Sequence, residues 1–248
     1  MNAEPPLWQT IRAVLEQELA AGSFPPGTPL PAEKHLAARF GCSIGTVRRA
    51  VDELVAARAL VRRQGRGTFV PDLDSLAGFT RDGPDRTLFH FFHIERADGL
   101  REHPQTELLD FASPVEAPPE VAAPLGLAPG APMHRARNLQ RLQGAPVMLE
   151  ELWMPAALFP GLDEAGFAGR EGTVYGLYQK RFGLSVVRTE DRLRAERPGP
   201  DMVALLGLAE GEPVLRIHRV AYAIGDRPVE LRFGFVNTAA HEYRASLV

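Results

Sequence analysis

The stretch Leu30-Pro-Ala-Glu-Lys-His-Leu-Ala-Ala-Arg-Phe-Gly-Cys-Ser-Ile-Gly-Thr-Val-Arg-Arg-Ala50 decides the reading of this chain. Leu36, Ala37 and Phe40 share one face of a short helix over 33–40, and Gly41 breaks it. Ser43 is placed to cap a further helix running to about residue 57. In that helix Val47, Val51, Leu54 and Val55 turn inward, while Gly45, Thr46, Arg48, Arg49 and Asp52 cluster on the exposed side. Two short helices around a tight glycine turn, the second opening with small and basic residues, predict a helix-turn-helix.

The flanks extend this unit. Upstream, Leu7, Ile11, Val14, Leu15 and Leu19 recur at helical spacing over 7–21, and Gly22 with Pro25-Pro26-Gly27 ends the helix. Downstream, two β-prone stretches at 60–63 and 67–70 flank Gln64-Gly65-Arg66 and predict a hairpin. Glycines and arginines at its tip allow the backbone to approach a phosphate or enter a minor groove, as a wing does. Charge agrees with this division. Residues 1–71 hold nine basic and six acidic side chains, net +3, whereas 72–248 are net −6. Within 34–70 the balance is eight basic against two acidic. A local cationic surplus of this kind neutralises phosphates, and the acidic remainder reads as a separate module.

Residues 30–50, together with Gln64-Gly-Arg-Gly-Thr-Phe-Val70, resemble the DNA reader of the GntR family over some sixty positions. The resemblance implies that Lys34, Thr46, Arg48, Gln64 and Gly65 contact DNA. Arg49 and Arg66 join them on charge and placement, with Ser43 as the cap and Gly67 in the wing. The chain departs from the family at Ile44, where an arginine often follows the cap; Ile44 can meet a thymine methyl but cannot grip guanine. A winged helix used for protein contacts is the alternative.

Residues 72–86 are turn-rich and aperiodic and read as a linker between a reader at 1–71 and a second module at 87–248. Strands are expected at 87–95, 106–112, 133–142, 146–154, 186–195, 214–223 and 228–236, with helices at 119–125, 173–182 and 200–206. This order predicts an α+β domain on an antiparallel sheet. It also contains an internal repeat. Leu125-Gly-Leu-Ala-Pro-Gly-Ala-Pro132 parallels Leu206-Gly-Leu-Ala-Glu-Gly-Glu-Pro213, and each copy runs through a strand and a turn into Pro146-Val147 or Pro228-Val229. Two helix–hairpin units related by a pseudo-twofold axis are expected, with a ligand cleft between the halves.

This second module resembles the UTRA domain, the effector-binding half of the HutC branch of the GntR family, whose fold is similar to chorismate lyase. Gly144-Ala-Pro-Val-Met-Leu-Glu150, Phe159-Pro-Gly-Leu162, Tyr178-Gln-Lys-Arg-Phe-Gly183 and Arg227-Pro-Val-Glu230 carry the resemblance over about 75–245. It implies that Glu150, Glu230, Thr173 and Tyr175 line an effector pocket; Arg232 is the repeat counterpart of Glu150. Phosphosugar sensors of the branch carry arginines where this chain has Asn138 and Gln140, and without those cations a phosphate is poorly matched. His90 and Phe92, on one face of the expected strand, would line an apolar, hydrogen-bonding pocket. An organic acid, an amine or an aromatic metabolite is therefore expected rather than a sugar phosphate.

Other classes fit less well. Cys42 is the single cysteine, so neither an internal disulfide nor a multi-cysteine metal site is available. There is no nucleophile–base pair, phosphate-cradling loop or metal motif, and no cofactor is expected. An enzyme built on the chorismate-lyase-like fold, or a scaffold protein, remains as the rival. No apolar run approaches the roughly 18 residues of a membrane span, and a cytoplasmic homodimer binding a double-stranded operator and a small effector is expected.

Overall fold

The computed structural model describes residues 5–73, 92–97 and 104–245. The chain divides into two compact units: residues 1–76 with 171–188 and 222–227, and the remainder.

The first unit is built on three helices. In α1 (Leu7–Ala20), Ile11, Leu15 and Leu19 recur every four residues and are buried. They meet Leu36 and Ala37 of α2 (Glu33–Phe40) and Val47, Ala50, Val51 and Leu54 of α3 (Ile44–Ala56) in one apolar core. Gly41 ends α2 at φ 61°, a left-handed cap that a side chain would strain. Ser43 caps α3, its Oγ accepting from the Thr46 N–H at 3.2 Å. The hairpin follows as β1 (Val61–Arg63) and β2 (Gly67–Phe69), paired Val61 to Phe69 and Arg63 to Gly67. The Leu30 N–H donates to the Thr68 carbonyl at 2.8 Å, tying the hairpin to the segment before α2.

The same unit takes in residues far along the chain. Ile224 is part of its core, and Val187 packs against it. A later helix, α6 (Val174–Phe182), belongs here too, capped by Thr173, whose Oγ1 accepts from the Gly176 N–H at 2.9 Å.

The principal sheet has six antiparallel strands in the order β4-β5-β6-β9-β8-β7. Their ranges are β4 (Gln105–Glu116), β5 (Pro132–Leu142), β6 (Ala145–Pro155), β7 (Val186–Glu196), β8 (Val214–Ala223) and β9 (Arg227–Asn237). The palindromic order is the internal repeat made visible. A short helix, α4 (Pro119–Ala122) or α7 (Pro200–Leu206), leads into each hairpin. Both hairpins turn on two residues of positive φ, Gln143-Gly144 and Gly225-Asp226, which suits the twist of the strands. Where β6 meets β9, Glu151 pairs with Phe233, flanked by Glu150 opposite Gly234 and Leu152 opposite Arg232. Aligning Pro146 with Pro228 makes Glu151 and Phe233 equivalent, so the pseudo-twofold axis passes through that pair.

Two expectations need refinement, and two elements were not expected. The halves meet edge to edge in one sheet, because β6 and β9 are hydrogen-bonded neighbours, so the expected cleft does not part the sheet but lies on one face of it; pairing satisfies the edges that two isolated hairpins would expose. Of the strand expected at 87–95, residues 87–91 lie outside the described residues, and Phe92 and His93 precede the strand β3 (Ile94–Arg96). β3 pairs with β10 (His241–Tyr243), which the sequence reading missed. The short α5 (Glu164–Ala168), capped by Asp163, was also missed.

Leu139, Leu149, Leu206 and Val214 form one cluster with residues of α7. Leu142, Met148, Ile217 and Val236 form another with Ile94 and Tyr243 of the small sheet. The two clusters bury the two faces of the principal sheet. Between flanking apolar residues of the second, the strand alternation places polar side chains.

Candidate effector network and DNA-reading face

The first α3 turn presents Ser43, Ile44 and Gly45 to solvent, with Arg48, Arg49 and Asp52 following on the exposed side. The Ser43 and Thr46 hydroxyls lie 2.9 Å apart, so the cap also fixes the Thr46 side chain. Arg48 Nε donates to Glu33 of α2 at 2.9 Å, and Arg62 of β1 reaches the other Glu33 oxygen at 3.5 Å. Arg62 further pairs with Asp52 at 2.5 Å. These pairs are exposed and worth no more than about 1 kcal/mol each, so they orient the arginines without locking them away from a phosphate. Arg49 lies over the Trp8 ring of α1, 4.3 Å from its centroid. Lys34, Gln64, Gly65, Arg66 and Gly67 are all exposed, the last four at the tip of the hairpin. The structure thus gathers the expected reading residues on α2, α3 and the wing. Glu33 and Arg62 were missed, although the outward position of Arg62 in Val61-Arg62-Arg63 is the signal that marks it.

The second candidate site is a charge network on the sheet face that also carries Met148 and Val236. Three strands supply it by alternation: Asn138 and Gln140 from β5, Glu150 from β6, and Glu230 and Arg232 from β9. Arg232 donates through Nε and Nη2 to both Glu230 oxygens, at 2.9 and 3.0 Å, and through Nη1 to Glu150 Oε1 at 2.8 Å. Gln140 Nε2 donates to Glu150 Oε2 at 2.7 Å and is itself oriented by Thr106 Oγ1 at 2.7 Å. Glu150 and Glu230 are 2% and 0% exposed, so these charges are out of water and depend on each other. Burial alone would raise the Glu150 carboxyl. The Arg232 charge, the bonds from Gln140 and Arg232 and the Arg219 charge outweigh it and hold the group below its ordinary value. Beside this lies a second buried pair, Arg219 with both oxygens of Asp191 at 2.7 and 2.6 Å, where Tyr243 also donates. Gly234 stands opposite Glu150, and a Cβ there would collide with the Met148 side chain.

Asn138 differs from its neighbours. It is fully buried, directly opposite Glu150 in the β5–β6 register, yet neither its Oδ1 nor its Nδ2 has a partner among the described residues. A buried amide without partners costs about 1–3 kcal/mol, and such groups call for an explanation.

Of the other expected pocket residues, Thr173, Tyr175 and Phe92 lie among the described residues. Thr173 and Tyr175 fall in the first compact unit; Thr173 caps α6, and Tyr175 is buried against Tyr178. There Thr173 Oγ1 contacts the Leu73 carbonyl at 3.4 Å, and Gln179 bonds the Pro71 carbonyl and the Leu73 N–H at 2.9 and 3.1 Å. Phe92 packs against the apolar cluster of Ile94, Met148 and Val236. His90 lies outside the described residues. On the opposite face of the principal sheet a cleft of about 370 Å³ is lined by Arg137, Glu151, Asp201, Met202, Phe233 and Phe235 among others. Among the described residues no group of three or more His, Cys, Asp and Glu is placed to hold a metal ion, and no helix is long and apolar enough to cross a membrane.

A winged helix-turn-helix joined to a repeat-built α+β sheet defines the class of protein, a DNA-binding transcription regulator. The comparisons are consistent with it. Residues 7–70 match the family described as bacterial regulatory proteins, gntR family, and residues 100–242 match the UTRA domain. The chain belongs to the GntR family, in its UTRA-containing branch. The probable fructoselysine utilization operon transcriptional repressor of Escherichia coli K12 is 28% identical over 91% of this chain and 88% of its own. The ligand-binding domain of a GntR-family regulator from Bordetella bronchiseptica superposes with a TM-score of 0.59 at 31% identity, covering 64% of this chain and 98% of that one. PhnF from Mycobacterium smegmatis superposes with a TM-score of 0.53 at 25% identity, covering 96% and 99%. Regulators of this family bind DNA operators and small-molecule effectors.

Proposed function

We propose that this protein is a homodimeric repressor, resident in the cytoplasm, that binds a palindromic operator and releases it when a small molecule occupies the Asn138–Gln140–Glu150–Glu230–Arg232 network. The observation that carries the reading is the convergence of Arg48 and Arg62 on Glu33 beside the exposed start of α3. This sets two cations from separate elements at one major-groove-sized surface. Reader, linker and effector module follow as 1–71, 72–86 and 87–248. Two readers on a twofold dimer match a twofold site. The buried carboxylates are committed to an arginine, an arrangement for recognition rather than proton transfer, and catalysis forms no part of the proposal.

Release requires the effector to favour a state with lower operator affinity. Gln179 is suited to pass that preference on, since it grips Pro71 and Leu73 at the end of the reader from within α6. Relatives named as repressors support the sign of regulation. The test is fluorescence anisotropy on DNA from the gene's own upstream region, with metabolite fractions added. Selective binding that a fraction reverses supports the proposal, and absence of selectivity contradicts it. Gln179→Ala should bind the same DNA but release it less in response to the active fraction; full release would remove Gln179 from the route.

A further inference from the structure

The cleft on the sheet face opposite the charge network joins a cavity to charged groups that the described residues leave unpaired. Three of its residues stand in one row across the sheet. Arg137 of β5 is directly opposite Glu151 of β6, and Glu151 is directly opposite Phe233 of β9. Opposite charges that face each other across two strands ordinarily attract and pair. Here they do not. Glu151 Oε1 accepts from the Trp153 indole at 2.7 Å, and Asp110, the other register neighbour of Arg137, holds Arg135 at 2.8 Å. Among the described residues the Arg137 guanidinium has no hydrogen bond and no ion pair. Nor has the carboxylate of Asp201, which lines the cleft from the start of α7.

The walls beside this row are apolar and fixed. Met202 and Phe235 pack on the buried cluster around Leu149 and Leu206. Arg216 lies over the Phe233 ring, 5.2 Å from its centroid, and the His218 ring meets it edge-on at 5.3 Å. The cleft volume of about 370 Å³ is at the lower end of the roughly 300–1,000 Å³ of small-molecule sites, so it suits one compact ligand. An organic acid would meet Arg137 but be repelled by Glu151 and Asp201; a plain amine would meet the carboxylates but be repelled by Arg137. A zwitterion satisfies both. Facing residues on neighbouring strands stand about 4.5–5.5 Å apart, so the two charges of the ligand must also be close, as on a single carbon. We infer that this cleft binds an α-amino acid with a large apolar side chain. Its carboxylate meets Arg137, its ammonium the carboxylates of Glu151 and Asp201, and its side chain the surface of Phe233, Phe235 and Met202. The site is separate from the charge network, and the inference holds whatever occupies that network.

The experiment is calorimetric titration of the full chain with L-leucine and L-phenylalanine, and with analogues that each lack one charge. Isocaproate and hydrocinnamate lack the ammonium; isoamylamine and phenethylamine lack the carboxylate. At least one amino acid should bind saturably, and its two single-charge analogues should bind about tenfold or more weakly. Arg137→Gln and Glu151→Gln should each weaken the amino acid by a similar factor. Neither substitution breaks an ion pair among the described residues, so both variants should keep the circular dichroism spectrum of the wild type. Arg12→Gln, which removes a cation from α1, should leave the affinity unchanged. No saturable binding by either amino acid, equal binding by a single-charge analogue, or full affinity in both cleft variants would each overturn the inference. So would a shift of the subunit equilibrium in Glu151→Arg, read by analytical ultracentrifugation, because it would place the cleft between two copies of the chain.

Discussion

Replacing Asn138 by Val should stabilise the ligand-free protein, an unusual outcome for a fully buried position. Neither amide atom of Asn138 has a partner among the described residues, and the side chain is 0% exposed. Folding therefore strips water from two polar atoms without repaying them, at about 1–3 kcal/mol. Valine removes both atoms and suits a strand; imperfect packing returns up to about 1 kcal/mol of the gain. A net gain of roughly 1 kcal/mol corresponds to about 2–4 °C in melting temperature for a domain of this size. The assay is differential scanning calorimetry of both proteins without ligand, at matched concentration because a dimer's melting depends on it. A rise of a few degrees supports an amide kept for binding at the expense of stability. A fall of similar size would refute the reasoning, since it would mean that Asn138 holds the fold together.

Arg232→Met should be severely destabilising, by about 3–5 kcal/mol, because it leaves Glu150 and Glu230 buried without their cation; chemical denaturation measures it, and a change under about 1 kcal/mol would contradict the network. Glu33→Gln should alter folding stability by less than about 1 kcal/mol, yet raise affinity for random DNA and so narrow the gap to the operator, as competition binding would reveal. Stability should also fall in acid. The Glu150 and Asp191 carboxyls are held below their ordinary values of 4.5 and 3.8, so their contribution is complete above those values and is lost as pH falls through the folded-state values. Burial likewise lowers His134, whose ring lies against Ser113 and the Phe159 carbonyl; its contribution is complete above 6.5 and begins to be lost below it. A melting temperature flat from pH 7 to 4 would contradict the His134 assignment, and one flat on further acidification below pH 4 would contradict those of Glu150 and Asp191.

The reader was legible because each of its signals is local: the spacing of Ile11, Leu15 and Leu19, the left-handed glycine at 41, the cap at Ser43 and the glycine-flanked tip at 65. The repeat, too, pointed to two equivalent hairpin units, which recur as the hairpins β5-β6 and β8-β9 in the order β4-β5-β6-β9-β8-β7; the order itself was not legible. What stayed hidden depends on contacts distant in sequence. The pairing of β3 with β10 joins segments about 145 residues apart, and three-residue strands carry too little alternation to announce themselves. Likewise, Glu33 gives no sign that Arg48 and Arg62 converge on it, for that requires the turn of the helix-turn-helix and the wing together. Alternation placed Glu150, Glu230 and Arg232 on one face, but their mutual bonding follows from the register of β6 and β9, which no strand encodes alone. The assignment of Thr173 to the first unit follows from its capping role and its contact with Leu73.

The most direct test of the central claim is a salt titration of binding to DNA from the gene's own upstream region, against a scrambled duplex, for the wild type and Arg48→Ala. Tight binding to the native duplex that weakens steeply with salt, and that Arg48→Ala reduces to the level of the scrambled control, is the expected result. Equal affinity of the wild type for both duplexes at moderate salt would contradict the claim that this protein reads an operator.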